Sequence, residues 1–166
     1  TVDDGTVASG IASSKLTGAL PAISGAALTN TGKVLQVVSV EYIAVTAITS
    51  TSYVDSGSEI TITPSSTSSK MLVTFDTAYQ AYLANANCFP YARIIRGSTT
   101  VYDFGIFGRN HVNTIGNWGA FHMSFLDSPA STAAQTYKVQ YKVGAGTLTV
   151  NSAESDAIMT VMEIGA

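Results

Sequence analysis

The sequence predicts an all-β fold, an antiparallel sandwich or barrel, and three observations carry the prediction. From residue 33 onward, about nine short runs of β-branched and aromatic residues follow one another at roughly the 8–12-residue spacing of such folds. No window sustains an apolar stripe at the helical period of about 3.6 residues. Charged residues make up only 11% of the chain, against ~25% in an average soluble domain, so Ser, Thr, Asn, Gln and Gly must build the surface.

The first such run, KVLQVVSVEYIAV (33 to 45), is β-branched and free of Gly and Pro. Ile60 and Ile62 alternate with Thr61 and Thr63, and Pro64 ends that strand because proline cannot donate to a ladder. The loop SSTSS (65 to 69) leads into MLVTF (71 to 75). AYQAYLANA (78 to 86) has mild helical propensity but is read as strand and loop. PYARIIR (90 to 96) and TTVYDF (99 to 104) flank Gly97-Ser98, a tight hairpin turn. GAFHMSFL (119 to 126) sets Phe121, Met123 and Phe125 on one face, and YKVQYKV (137 to 143) sets Tyr137, Val139, Tyr141 and Val143 on one face. GAG (144 to 146) turns the chain into TLTV (147 to 150), and IMTVMEI (158 to 164) closes it. That last strand is apolar on both faces, with Ile158, Met162 and Ile164 on one and Met159 and Val161 on the other. Both faces need cover, and the second is expected to find it in a subunit contact.

Residues 1 to 32 differ from everything after them: they contain no aromatic residue and are dominated by Ala, Gly, Ser and Thr. Single hydrophobes such as Leu16, Leu20, Ile23 and Leu28 recur between Gly and Ser/Thr steps. A plain flexible linker has no need of them, and the segment cannot form a core alone. It is expected to be an extended stem ordered against two sister chains, with Leu16, Leu20, Ile23 and Leu28, together with Met159 and Val161, at the trimer interface. Thr1 in place of Met suggests processing or a piece of a longer protein.

Several chemistries find no support. Net charge is −3 and the eight basic residues are scattered, which argues against nucleic acid as a partner. No run approaches the ~18 apolar residues of a membrane-spanning helix. The single cysteine, Cys88, excludes an internal disulfide and reads best as a small buried hydrophobe. Nucleotide loops and nucleophile elbows are absent. His111 and His122 lack a metal-ligand spacing, and His122 falls opposite Phe121 and Met123, where a solvated or interface histidine is expected. Asp3, Asp4, Asp127, Glu154 and Asp156 stand in turn-like settings without a calcium-loop register. No catalytic residue, cofactor or metal is expected, and the chain reads as non-enzymatic.

The stretch YDFGIFGRNHVNTIGNW (102 to 118) is different in kind. It mixes aromatics with amides and an Arg, the side chains that build recognition surfaces. Tyr102, Phe107, Arg109, Asn110, His111, Asn113, Asn117 and Trp118 are therefore the candidate contact residues. An equally weighted alternative is a long loop whose aromatics fold back to the core.

The ordered series DGTV…SSKLTGALPAISGAALT, GKVLQVVSVEY, TSTSY, EITITPSSTSSKMLVTF and AIMTVMEIGA resembles the C-terminal domain of tail-fibre and other virion proteins of marine bacteriophages. The resemblance spans most of the chain, although residues 76 to 135 match nothing specific. It implies a trimeric β-sandwich head on a fibrous stem and transfers no catalytic residue. The combined expectation is a stem at 1 to 32 and a jelly-roll-like antiparallel β-sandwich at 33 to 166. Its partners would be its own copies as a homotrimer, other virion proteins through the N-terminal segment, and a bacterial surface glycan or protein, with no membrane insertion. The expected place is the virion, as a receptor-binding tail fibre. The alternatives are a capsid-attached head fibre or decoration protein and, less favoured, a polysaccharide-degrading tailspike.

Overall fold

The computed structural model of the protein describes residues 33–82, 88–108, 117–151 and 156–165. The expected stem, with Leu16, Leu20, Ile23 and Leu28, lies outside the described residues. Ten strands and no helix make up the described elements: β1 (Val34–Tyr42), β2 (Thr46–Ile48), β3 (Val54–Ile62), β4 (Lys70–Tyr82), β5 (Pro90–Arg96), β6 (Thr99–Ile106), β7 (Asn117–Asp127), β8 (Gln135–Val143), β9 (Thr147–Val150) and β10 (Ala157–Ile164).

They form two antiparallel sheets. The first runs β1-β10-β4-β7, with β9 and β2 replacing β10 and β1 at one end; the second runs β3-β8-β5-β6. Of the connections among the eight longer strands, the β5–β6 hairpin alone stays within a sheet, and every other one crosses between the two layers. Gly97 turns that hairpin at φ +58°, a left-handed conformation that costs glycine little.

Period-two alternation fills the space between the sheets. Met71, Val73 and Phe75 of β4, Met123 of β7 and Leu148 of β9 meet Ile60 and Ile62 of β3, Ile94 of β5, and Tyr137, Val139 and Tyr141 of β8. Cys88 is fully buried in the same core. One open side of the sandwich is closed by rings. Tyr102 stacks on Phe125 at 4.9 Å, Phe104 meets Phe121 edge-on at 4.8 Å, and Phe107 stacks on Phe121 at 4.2 Å. The opposite side is tied by hydrogen bonds from Tyr42 Oη to the Glu59 carbonyl and from Gln36 Nε2 to the Thr63 carbonyl at 2.7 Å.

Two expectations require correction. Met159 and Val161 do not face outward; both are fully buried in the chain's own core. The strand's outward residues are Ile158, Thr160, Met162 and Ile164, and Ile158 is 45% exposed. The strand is indeed apolar on both faces, but it is the other face that lacks cover. Second, β3 begins at Val54, earlier than the Ile60–Thr63 alternation indicates. Ser56 and Ser58 face the core in place of hydrophobes, and Ser56 Oγ donates to the Val139 carbonyl at 2.9 Å. Gly57, at φ +85°, sits where the β3–β8 register shifts between Asp55 and Glu59.

Candidate functional site

The outer face of the first sheet is ordered in rows by strand register. Near the start of β1, Val37, Met162, Leu72 and Leu126 lie side by side across all four strands, with Val37 55% and Leu126 53% exposed. Beside them runs a row of hydroxyls, Ser39, Thr160, Thr74 and Ser124, in which Ser39 Oγ and Thr160 Oγ1 are 2.8 Å apart. The third row is Glu41, Ile158, Asp76 and His122. Further along the β4–β7 pair come Ala78 opposite Ala120, then Gln80 opposite Trp118. The face thus passes from apolar at one end to polar and aromatic at the other.

A depression of about 340 Å³ opens at the polar end. Its cause is topological. β4 pairs with β10 only through Asp76 and with β9 only from Tyr79, so its neighbour changes at Thr77–Ala78. Asn151 plugs the gap from beneath: its backbone N–H donates to the Ala78 carbonyl at 3.2 Å, and its Nδ2 donates to the Ala44 carbonyl at 3.0 Å. Thr77 Oγ1 lies 3.0 Å from Asn151 Oδ1. Asn151 holds φ +55°, a left-handed conformation that its short amide side chain tolerates. The depression is lined by Asp76, Ala78, Ala120, His122, Asp156 and Ile158. Two alanines make its floor low, Ile158 supplies an apolar wall, and three polar side chains rim it.

His122 Nδ1 stands 2.6 Å from Asp76 Oδ1, with both side chains exposed. The pairing follows from register, since β4 and β7 place the two residues directly opposite one another. Trp118 lies two positions beyond Ala120 on the same outward face and is 59% exposed. Gly119 between them lets the Tyr79 ring lie beneath the strand; a Cβ there would meet that ring at 2.7 Å. Among the described residues no group of three or more His, Cys, Asp or Glu side chains could hold a metal ion.

The candidate contact residues divide three ways. Trp118 is exposed on the outer face, as a contact residue must be. Tyr102 and Phe107 are corrected: Tyr102 stacks on Phe125, and Phe107 packs on Phe121 and edge-on against Tyr79 at 5.0 Å, so both rings serve the core. Their half-buried rings lie where β6 and β7 meet, the fold-back that an apolar edge between two sheets favours. Arg109, Asn110, His111 and Asn113 lie outside the described residues, and Asn117 is placed only as the first residue of β7. Asp76 and Asp156, which line the depression, were not among the candidates. The strand starts at Asn117 rather than Gly119, so Trp118, read from the sequence as part of the loop, shares the outward face of Ala120 and His122; neither that nor the pairing with β4 was read from the sequence.

No family model matches the chain, and no curated protein matches it. Among solved structures it is similar to a chain of the T13 IBDV viral particle, with 10% identity and a TM-score of 0.47 over 87% of this chain and 41% of that one. A chain of dimeric latent PorU from Porphyromonas gingivalis overlaps at 9% identity and a TM-score of 0.40, over 81% of this chain and 14% of that one. A chain of infectious bursal disease virus Gt strain overlaps at 11% identity and a TM-score of 0.40, over 89% and 43%. The chain spans less than half the length of each. These overlaps establish no family and assign no activity.

Proposed function

We propose that this protein is a non-catalytic structural module of a virion, the trimeric jelly-roll head of a bacteriophage fibre, which presents its far end to the host surface. The virion assignment rests on the ordered sequence resemblance carried by motifs between residues 4 and 75 and at 157 to 166, and the strand order suits a jelly roll, two Greek keys rolled together. One observation carries the assembly: the uncharged apolar row Val37–Met162–Leu72–Leu126 across an otherwise complete sheet.

A second copy of this chain is the occupant that row favours. It lies at the end of the sheet where the described chain enters, beside the Val34–Ile164 pair, and 32 residues precede that point. Copies joined through those residues would bring their apolar rows together at the same level. Neither this row nor the hydroxyl row beside it carries a charge, so sister surfaces meet without burying an unpaired ion. Eleven register pairs span β7 from Asp127 to Asn117, a length of roughly 34 Å.

Sedimentation equilibrium of the full chain tests the reading: a mass three times 17.2 kDa is expected. Leu126→Glu, which places a charge in the apolar row, is expected to shift the population to monomer while far-UV circular dichroism stays β. A stable wild-type monomer refutes the trimer. Locating the chain on intact particles tests the virion assignment, and release of oligosaccharide from host polysaccharide would replace this reading by a tailspike enzyme.

A further inference from the structure

The geometry points to a binding site for an uncharged pyranose in the depression between β4, β7 and β10, with Trp118, which stands beside the depression rather than lining it, as its stacking platform. This inference rests on the attachment reading above and names its ligand class.

Four features converge. Tryptophan is ordinarily among the most buried residues on average, yet Trp118 stands 59% exposed on a regular strand, paired opposite Gln80. A flat, exposed aromatic ring offers a negative face to polarised C–H groups, which one side of a pyranose ring supplies. Next to it, Ala78 and Ala120 are paired across the strands, and their short side chains leave room for a ring to lie against the sheet. Beyond them stand Asp76, His122 and Asp156. Ionised carboxylates only accept hydrogen bonds, and sugar hydroxyls donate them; His122 holds Asp76 in place through the 2.6 Å contact and has a second ring nitrogen to offer. Ile158, 45% exposed, supplies an apolar wall for a methyl or methylene substituent.

The charge pattern selects within the class. Two carboxylates and no Lys or Arg line the depression, so an anionic sugar meets repulsion there, whereas a neutral one meets acceptors. The volume, about 340 Å³, suits one or two ring units rather than a long chain. A single shallow contact of this kind binds weakly, at millimolar strength, and repetition in a trimer multiplies it.

Trp118 is the single tryptophan of the chain, so intrinsic emission reports on this site alone. The full-length protein is titrated with a panel of neutral hexoses, N-acetylhexosamines and uronic acids. At least one uncharged pyranose is expected to shift Trp118 emission saturably, and the uronic acids are not. Asp76→Asn and Asp156→Asn should each weaken that binding about tenfold, the loss of one hydrogen bond to a charged acceptor. Ala120→Leu, on an exposed position that leaves Trp118 in place, should abolish it by filling the depression. Emission unmoved by every neutral sugar, a preference for uronic acids, or full binding by Ala120→Leu overturns the inference. Particle localisation is read separately. A chain found on virions that ignores neutral sugars refutes the ligand class alone, and a sugar-binding chain absent from virions refutes the fibre reading alone.

Discussion

Glu163→Gln probes the least expected group in the core. Glu163 lies in β10, fully buried, at an inward position where a hydrophobe would ordinarily stand. Its Oε1 accepts from the Ser65 N–H at 2.8 Å and the Ser65 hydroxyl at 2.7 Å, and its Oε2 accepts from Gln36 Nε2 at 2.6 Å. Burial pushes the carboxyl up. The hydroxyl of Ser69, which faces the carboxylate from outside hydrogen-bonding geometry, and the bonds from Ser65 and Gln36 outweigh burial and hold it at about 2, below its ordinary 4.5. A displacement of that size corresponds to about 3 kcal/mol of stability. Because the folded value lies below the unfolded one, this contribution is complete above 4.5 and fades as pH falls towards about 2. In the variant the new amide meets Gln36 Nε2 donor to donor, and flipping Gln36 would forfeit its 2.7 Å bond to the Thr63 carbonyl. Urea denaturation followed by circular dichroism at neutral pH should therefore show a loss of about 2–3 kcal/mol. Repeated towards pH ~2, the difference between the two proteins should close, since a protonated Glu resembles Gln. Equal stabilities at neutral pH, or a gap that persists unchanged into acid, would refute the argument.

Two tyrosines on β8 should respond oppositely to loss of their hydroxyls. Tyr141 Oη is buried without a hydrogen-bond partner among the described residues, so Tyr141→Phe should be neutral or stabilising by up to about 1 kcal/mol. Tyr137 Oη donates to Asp127 Oδ2 at 2.8 Å, the oxygen that Arg96 Nε also reaches at 2.8 Å, so Tyr137→Phe should cost about 1.5–3 kcal/mol in the same denaturation assay. Phe121→Ala removes the ring that both Phe104 and Phe107 pack against. It should cost about 3–5 kcal/mol by urea denaturation, while Phe104→Ala, on a partly exposed ring, should cost less than half of that. Gly119→Ala drives a methyl into the Tyr79 ring and should cost about 1–3 kcal/mol; in a Tyr79→Ala background most of that penalty should vanish in a double-mutant cycle.

Strand content was legible because half-buried strands advertise themselves by alternation. Tyr137-x-Val139-x-Tyr141-x-Val143 is buried at every second position, and Gly97-Ser98 does join β5 to β6. Where alternation lacked hydrophobes, the reading stopped short. Ser56 and Ser58 are inward residues of β3, and the Ser56 hydroxyl is satisfied by the Val139 carbonyl, so their segment resembles a turn. The three-residue β2 (Thr46–Ile48) is too short for any period to show. Of the site, the sequence left exposure and fold-back of the aromatics equally open; the structure exposes Trp118, whereas Tyr102 and Phe107, of the same composition, are half-buried against the core.

Amino-acid order settles which residues share a strand face, because that follows from a local period of two and the geometry of one chain segment. It cannot say which of two apolar faces turns inward, and β10 shows the consequence. Ile158/Met162 and Met159/Val161 are nearly equivalent as sequence, and only stacking of the second sheet buries the latter pair. The same holds for the meeting of Asp76 with His122, 46 residues apart, and for the depression at Thr77–Ala78. Those depend on which strands lie beside β4, a long-range choice that hydrogen-bonded register makes and that no single segment encodes.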